Sequence, residues 1–164
     1  EKPLIAMIRG FCMGGGLGTA LQADLRIASE GSEFGVPAAK LGVGYPYRNM
    51  KKLIDVVGPA KTKEIFFTGR RFSDQEALAM GLINQLVPAD ALEDTVRELA
   101  ATIAGNAPLT VRSTKVIVAE AFKDPDERDI AMCDELVEAC MNSDDYAEGR
   151  TAFMEKRKPN FVGR

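Results

Sequence analysis

The chain has 164 residues, 46% of them hydrophobic, enough for one ordinary domain with a core. Its formal charge of −3 offers no basic field to draw in nucleic acid or an anionic membrane surface. The complete lack of histidine excludes Ser-His-Asp and Cys-His catalysis within this segment and removes metal sites built on imidazole.

The first element is an apolar run, Leu4–Ile8, that ends at Gly10. Short apolar runs bounded by glycine predict a buried strand. After Phe11-Cys12-Met13 comes a triple glycine, Gly14–Gly16, opening onto a helical pattern over about 16–22. A glycine-rich passage from strand to helix lets the backbone approach a ligand closely, because no Cβ intervenes. The first N–H groups of the helix have no intrahelical partner and lie at its positive end. An acyl oxygen gaining negative charge there would meet donors already fixed in place, which is an oxyanion hole in outline. The same run also serves tight strand-to-helix packing. Phosphate cradles fit worse: counted from Gly14 the sixth position is Thr19, from Gly16 it is Leu21, and no Gly-Lys-Ser/Thr tripeptide occurs.

Strands are expected next at 25–28 and 33–36, helices at about 47–56, 59–67 and 74–80, and a strand at 82–87. Pro59 after Gly58 suits a first helical turn. Ser73 with Glu76 makes a capping box, and Gly81 falls where a helix-ending glycine belongs. From Pro88 no strand is predicted. Leu92, Val96, Leu99, Ala100 and Ile103 form one apolar stripe, Gly105-Asn106-Ala107-Pro108 breaks it, and helices follow at Val111–Phe122, about 125–142 and 144–156. Strands followed by helices divide the chain into an α/β part, 1–88, and a helical appendage, 89–164. The appendage has more apolar stripe than its own core needs, which fits packing on other subunits.

Three cysteines, Cys12, Cys133 and Cys140, with no CxxC pair suit a reducing compartment, so a cytoplasmic location is expected. Cys12 reads as a packed small residue, and Cys133 and Cys140, seven apart, as buried residues on one helix face. No apolar run approaches the ~18 residues of a membrane span.

The tracts KPLIAMIRGFCMGGGLGTALQADLRIAS, FGVPAAKLG, FFTGRRFSDQEALAMGLINQLVP and AFMEKRKPNF resemble, in this order and spacing, the crotonase (enoyl-CoA hydratase/isomerase) superfamily. The resemblance covers essentially all 164 residues. It implies the crotonase-type spiral of strands and helices, here its C-terminal portion, with a helical oligomerisation region. It further implies acyl-CoA substrates, no cofactor beyond the CoA the substrate carries, and a homotrimer or dimer of trimers. By the same resemblance Gly15 supplies one oxyanion N–H with Gly14 beside it, while the other donor comes from a segment upstream of Glu1. Phe153 and Lys156 match an aromatic and a lysine that approach the adenine and phosphates of CoA. Asp24 matches a structural aspartate.

Two departures from the family stand out. Hydratases of the superfamily carry one glutamate three residues after the oxyanion glycine and a second after the proline of the FGxP turn. Here these positions hold Gly18 and Ala38, neither of which can move a proton. Tyr45, thirty residues after Gly15, matches the spacing of a functional tyrosine in the superfamily's methylmalonyl-CoA decarboxylases, and Asn142–Arg164 resembles the end of those enzymes. Decarboxylation needs no carboxylate base, because loss of CO₂ itself leaves the electron pair on the α-carbon. The expectation is therefore lyase chemistry of the decarboxylase type, with Gly15 and Tyr45 as catalytic residues. The alternatives are a CoA-thioester binding or assembly subunit without chemistry, and, for Tyr45, a core aromatic.

Overall fold

The computed structural model describes residues 2–164. It divides into two compact units, Leu4–Arg97 and a second made of 2–3 with Glu98–Arg164.

The first unit holds all the strands. β1 (Ile5–Ile8), β3 (Leu25–Ser29) and β6 (Gln85–Val87) form a parallel sheet in the order β1-β3-β6. β2 (Phe11–Met13) pairs parallel with β4 (Glu33–Gly35), and β4 pairs antiparallel with the short β5 (Phe72–Ser73). Parallel neighbours need crossovers. The first of these contains α1 (Gly15–Ala20), entered directly from β2 through the glycine turn. The core gathers Leu17, Phe34, Leu53, Ile65, Phe72 and Leu82, each about 1% exposed or less. Arg26 is buried among them because its guanidinium is satisfied: Nε donates to the Leu82 carbonyl at 2.7 Å and Nη1 to that of Ala23 at 2.8 Å. Asp24 accepts the Leu4 N–H at 2.6 Å, the structural duty expected of it.

Local chemistry explains both the agreements and the differences. The two helices expected around Gly58-Pro59 run together as α3 (Tyr47–Thr68), but Gly58 at φ 78°, ψ 167° breaks the helix there. α2 (Ala38–Leu41), a single turn ended by Gly42 at φ 64°, carries too little pattern to be foreseen. α4 (Asp74–Ala79) opens with both halves of the capping box: Ser73 Oγ accepts the Glu76 N–H at 3.2 Å, and the Glu76 carboxylate accepts the Ser73 N–H at 2.8 Å. The strand expected at 82–87 is confined to β6. Leu82 and Ile83 are buried, yet their N–H groups turn back to the Ala77 carbonyl and cannot join a ladder. α5 (Leu92–Ala104) carries the expected stripe, and the boundary between units falls within it.

In the second unit α6 (Pro108–Ala121) begins three residues before the expected start, because Pro108 occupies its first turn, where a missing N–H costs nothing. The single helix expected at 125–142 is a 3₁₀ turn, Pro125–Glu127, followed by α7 (Ile130–Met141). The Asp129 carboxylate accepts the Met132 N–H at 2.9 Å and caps α7 there. α8 (Asp144–Glu155) is capped by Ser143. The chain beyond it folds back so that Asp145, 3% exposed, accepts the N–H groups of Val162 and Gly163. Among the described residues no helix is long and apolar enough to cross a membrane.

Candidate active site

The glycine turn is built from β2 inward. Gly14 has φ 50°, ψ −113°, a conformation open to glycine and costly for other residues. Its N–H donates to the Gly35 carbonyl at 2.8 Å, which ties the turn to the end of β4. Its own carbonyl accepts the Gly18 N–H at 3.0 Å, the first bond of α1. Gly15 begins the helix, and among the described residues neither its N–H nor that of Gly16 donates a hydrogen bond. A Cβ at Gly14, Gly15 or Gly16 would meet nothing within 4 Å. Within this chain, therefore, no close packing requires the glycines at this turn. They leave the backbone accessible.

Tyr45 stands over that turn. Its ring meets Phe66 of α3 edge-on, with centroids 4.9 Å apart and planes at 67°. Its hydroxyl lies 3.4 Å from the Gly14 carbonyl oxygen, and a Cβ on Gly18 would lie 3.7 Å from that hydroxyl. The structure thus brings Gly14, Gly15, Gly18 and Tyr45 together. Ala38, buried at the first position of α2, packs in the core and offers no proton-transferring group.

Sequence reasoning missed two residues that set this geometry. Gly35 supplies the carbonyl that holds Gly14. A Cβ on it would sit 2.6 Å from the Arg70 carbonyl oxygen, so the position tolerates nothing larger than glycine without backbone movement. Phe66 holds the Tyr45 ring. Both lie in the quoted tracts FGVP and FFTG, but only three-dimensional contact shows what they touch.

Two titratable residues of the neighbouring strands are structural. Cys12 is buried, and desolvation pushes its thiol above the usual range, away from the reactive thiolate. Glu33 is paired with Arg71 at 2.9 Å.

In the second unit Phe153 is 81% exposed on α8. It also lines a cleft of about 630 Å³ with Leu109, Val137, Met141, Tyr146 and Phe161. Lys156 follows in the left-handed conformation, φ 56°, alone among non-glycine residues described here. The cationic run Lys156-Arg157-Lys158 is less uniform than its sequence. Arg157 makes a two-point pair with Glu148 at 2.6 and 2.9 Å and another contact with Glu155 at 2.6 Å. These pairs hold Glu148 down at about 2 and raise Arg157. Among the described residues Lys156 and Lys158 make no ion pair, unlike Arg157 between them.

The family model of enoyl-CoA hydratase/isomerase matches residues 1–164. A short-chain-enoyl-CoA hydratase of Clostridium acetobutylicum is 35% identical over 158 residues, covering 96% of this chain and 60% of that protein. A carnitinyl-CoA dehydratase of Proteus mirabilis is 38% identical over 172 aligned residues, covering all of this chain and 64% of that protein. Among solved structures, an enoyl-CoA hydratase/carnithine racemase from Magnetospirillum magneticum superimposes with a TM-score of 0.90 at 38% identity, over 99% of this chain and 60% of that one. The chain thus spans less than two thirds of the length of these relatives.

Proposed function

This chain belongs to the enoyl-CoA hydratase/isomerase family, and we propose that the protein containing it cleaves a malonyl-type acyl-CoA thioester through a stabilised enolate, in preference to hydrating an enoyl-CoA. The observation that carries this reading is the composition of the turn. The Gly15 N–H is free, the carbonyl of the same peptide faces the Tyr45 hydroxyl, Gly18 has no side chain and Ala38 offers only a buried methyl.

In the proposed reaction the bond between the α-carbon and the carboxylate breaks. Its electron pair flows into the thioester, CO₂ leaves, and the negative charge settles on the thioester oxygen. The Gly15 N–H donates to that oxygen, with a second donor from the part of the protein upstream of this chain. Donors fixed before the charge develops need no reorganisation as it forms, which is the main source of rate enhancement in such sites. A proton from solvent on the α-carbon completes the product. A carboxylate at position 18 or 38 would repel the anionic substrate, whereas a tyrosine is a neutral donor at neutral pH.

Phe153 and Lys156 are proposed to reach the adenine and phosphates of CoA; exposure of the one and the unpaired ammonium of the other support this. A homotrimer or a dimer of trimers is proposed on the apolar side chains that α7 and α8 leave exposed, Ile130, Val137, Met141 and Met154 among them.

The experiment is a turnover assay of full-length protein with methylmalonyl-CoA and with crotonyl-CoA, following CO₂ release and hydration separately. CO₂ release with little hydration is expected; hydration at ordinary family rates with no CO₂ would overturn the reading.

A further inference from the structure

The Gly14 carbonyl and the Gly15 N–H are two ends of one peptide group. That carbonyl takes the Gly18 N–H at 3.0 Å on one side and faces the Tyr45 hydroxyl at 3.4 Å on the other. The ring is held by its edge contact with Phe66, 4.9 Å between centroids, and Gly18 leaves open the space beside the hydroxyl. We propose that Tyr45 is a positioning residue that acts on the bound thioester through the Gly14–Gly15 peptide. By donating to the carbonyl, its hydroxyl draws electron density along the amide and makes the opposite N–H a stronger donor. The inference rests on the reading of the Gly15 N–H given above.

The physical basis is the cooperativity of hydrogen-bond chains, in which each bond polarises the next by about 10–30%. At 3.4 Å the contact is long for an O–H···O bond, as hydrogen bonds of active sites often are before substrate is bound. One oxyanion donor is worth about 10²–10³ in rate. Strengthening it by about 10–30% corresponds to a factor of about two to eight. This effect reaches any bound thioester, with or without a carboxylate. A hydroxyl that touched only the leaving carboxylate would have no effect on a substrate lacking one.

The test uses full-length protein and butyryl-CoA labelled with ¹³C at the thioester carbonyl, a ligand without carboxylate or double bond. Infrared difference spectra read the carbonyl stretch, which falls as the oxygen is polarised. In the native protein the stretch is expected below that of free butyryl-CoA. Tyr45→Phe keeps the ring and is expected to lose part of that shift while still binding the ligand. Incorporating 3-fluorotyrosine at position 45, a more acidic phenol in an unchanged fold, is expected to deepen the shift. Should Tyr45→Phe fold poorly, the fluorinated protein decides alone. A native shift that neither change alters would overturn the proposal and leave the reading of Gly15 standing. No shift in the native protein would overturn both.

Discussion

The hydroxyl of Tyr45 stands 3.7 Å from the point where a Cβ on Gly18 would begin. By the resemblance, position 18 corresponds to a glutamate in the superfamily's hydratases, and in that reading the two residues are alternative ways of furnishing one space. The chain offers a phenol reaching across from beyond α2 where a hydratase raises a carboxylate from α1. Gly18 is therefore part of the tyrosine's seat.

Gly18→Ala tests how full that seat is. The added methyl makes ordinary contact with the hydroxyl, and Gly18 lies inside α1 without a positive φ. Alanine is expected to raise stability by about 0.4–1 kcal/mol, chiefly by restricting the unfolded chain. Urea denaturation of both proteins measures this. A loss of stability would mean that the hydroxyl presses on the turn more closely than 3.7 Å implies.

Hydration of crotonyl-CoA by the full-length protein is expected to be at least ~10³-fold slower than by a hydratase carrying both glutamates, since each general acid or base contributes about 10²–10⁴. Gly18 and Ala38 motivate the figure. Initial rates under matched conditions check it, and a rate in the ordinary hydratase range would point to a base contributed from upstream of this chain.

Lys156→Gly should separate stability from binding at one residue. A side chain in the left-handed region costs roughly 1–2 kcal/mol, which glycine avoids. The variant is expected to gain about 1 kcal/mol of stability while binding a CoA ester more weakly, as thermal unfolding and isothermal titration would record. Undiminished affinity would remove Lys156 from the proposed CoA site.

Glu76 and Glu148 predict how stability falls in acid. Arg70 and the Ser73 N–H hold Glu76 at about 2, and Arg157 and the Asn160 N–H hold Glu148 at about 2. In the unfolded chain both titrate near 4.3. Between those values the unfolded state binds more protons, so stability rises with pH across that window. Their contribution is complete above the unfolded value and is lost as pH falls toward about 2. Both carboxylates are solvent-facing, so the effect is modest. Glu148→Gln is expected to flatten the acid limb of stability against pH and leave the slope near neutrality unchanged. Equal slopes for variant and native protein below pH ~4 would contradict the assignment.

Gly35→Ala is expected to destabilise the protein by about 1–3 kcal/mol, the usual cost of forcing volume into a filled space. The new Cβ would meet the Arg70 carbonyl at 2.6 Å and Met13 Cε at 3.1 Å. Because the Gly35 carbonyl also holds the Gly14 N–H, the variant should weaken acyl-CoA binding beyond the stability loss alone. Denaturation and binding measured on one preparation separate the two effects.

What the sequence determined by itself was local. The strand–glycine–helix passage, the capping box at Ser73, the break at Gly58-Pro59 and the apolar stripe of α5 are each written in a few adjacent residues, because caps, turns and helical faces act over three or four positions. The family motifs and their two departures, Gly18 and Ala38, were equally legible. Where local pattern was short or competing, the reading failed: α2 is one turn, and Asp129 captured the start of α7 in place of Pro125. Only the tertiary structure decided that Gly35 anchors Gly14, that Phe66 holds Tyr45, and that the tyrosine's hydroxyl meets the carbonyl of the peptide whose N–H is free. These partners are separated by 21, 21 and 31 residues in the chain. No local propensity encodes such contacts; they exist because a β–α crossover and a long helix are packed onto one core, which places remote residues within hydrogen-bonding reach.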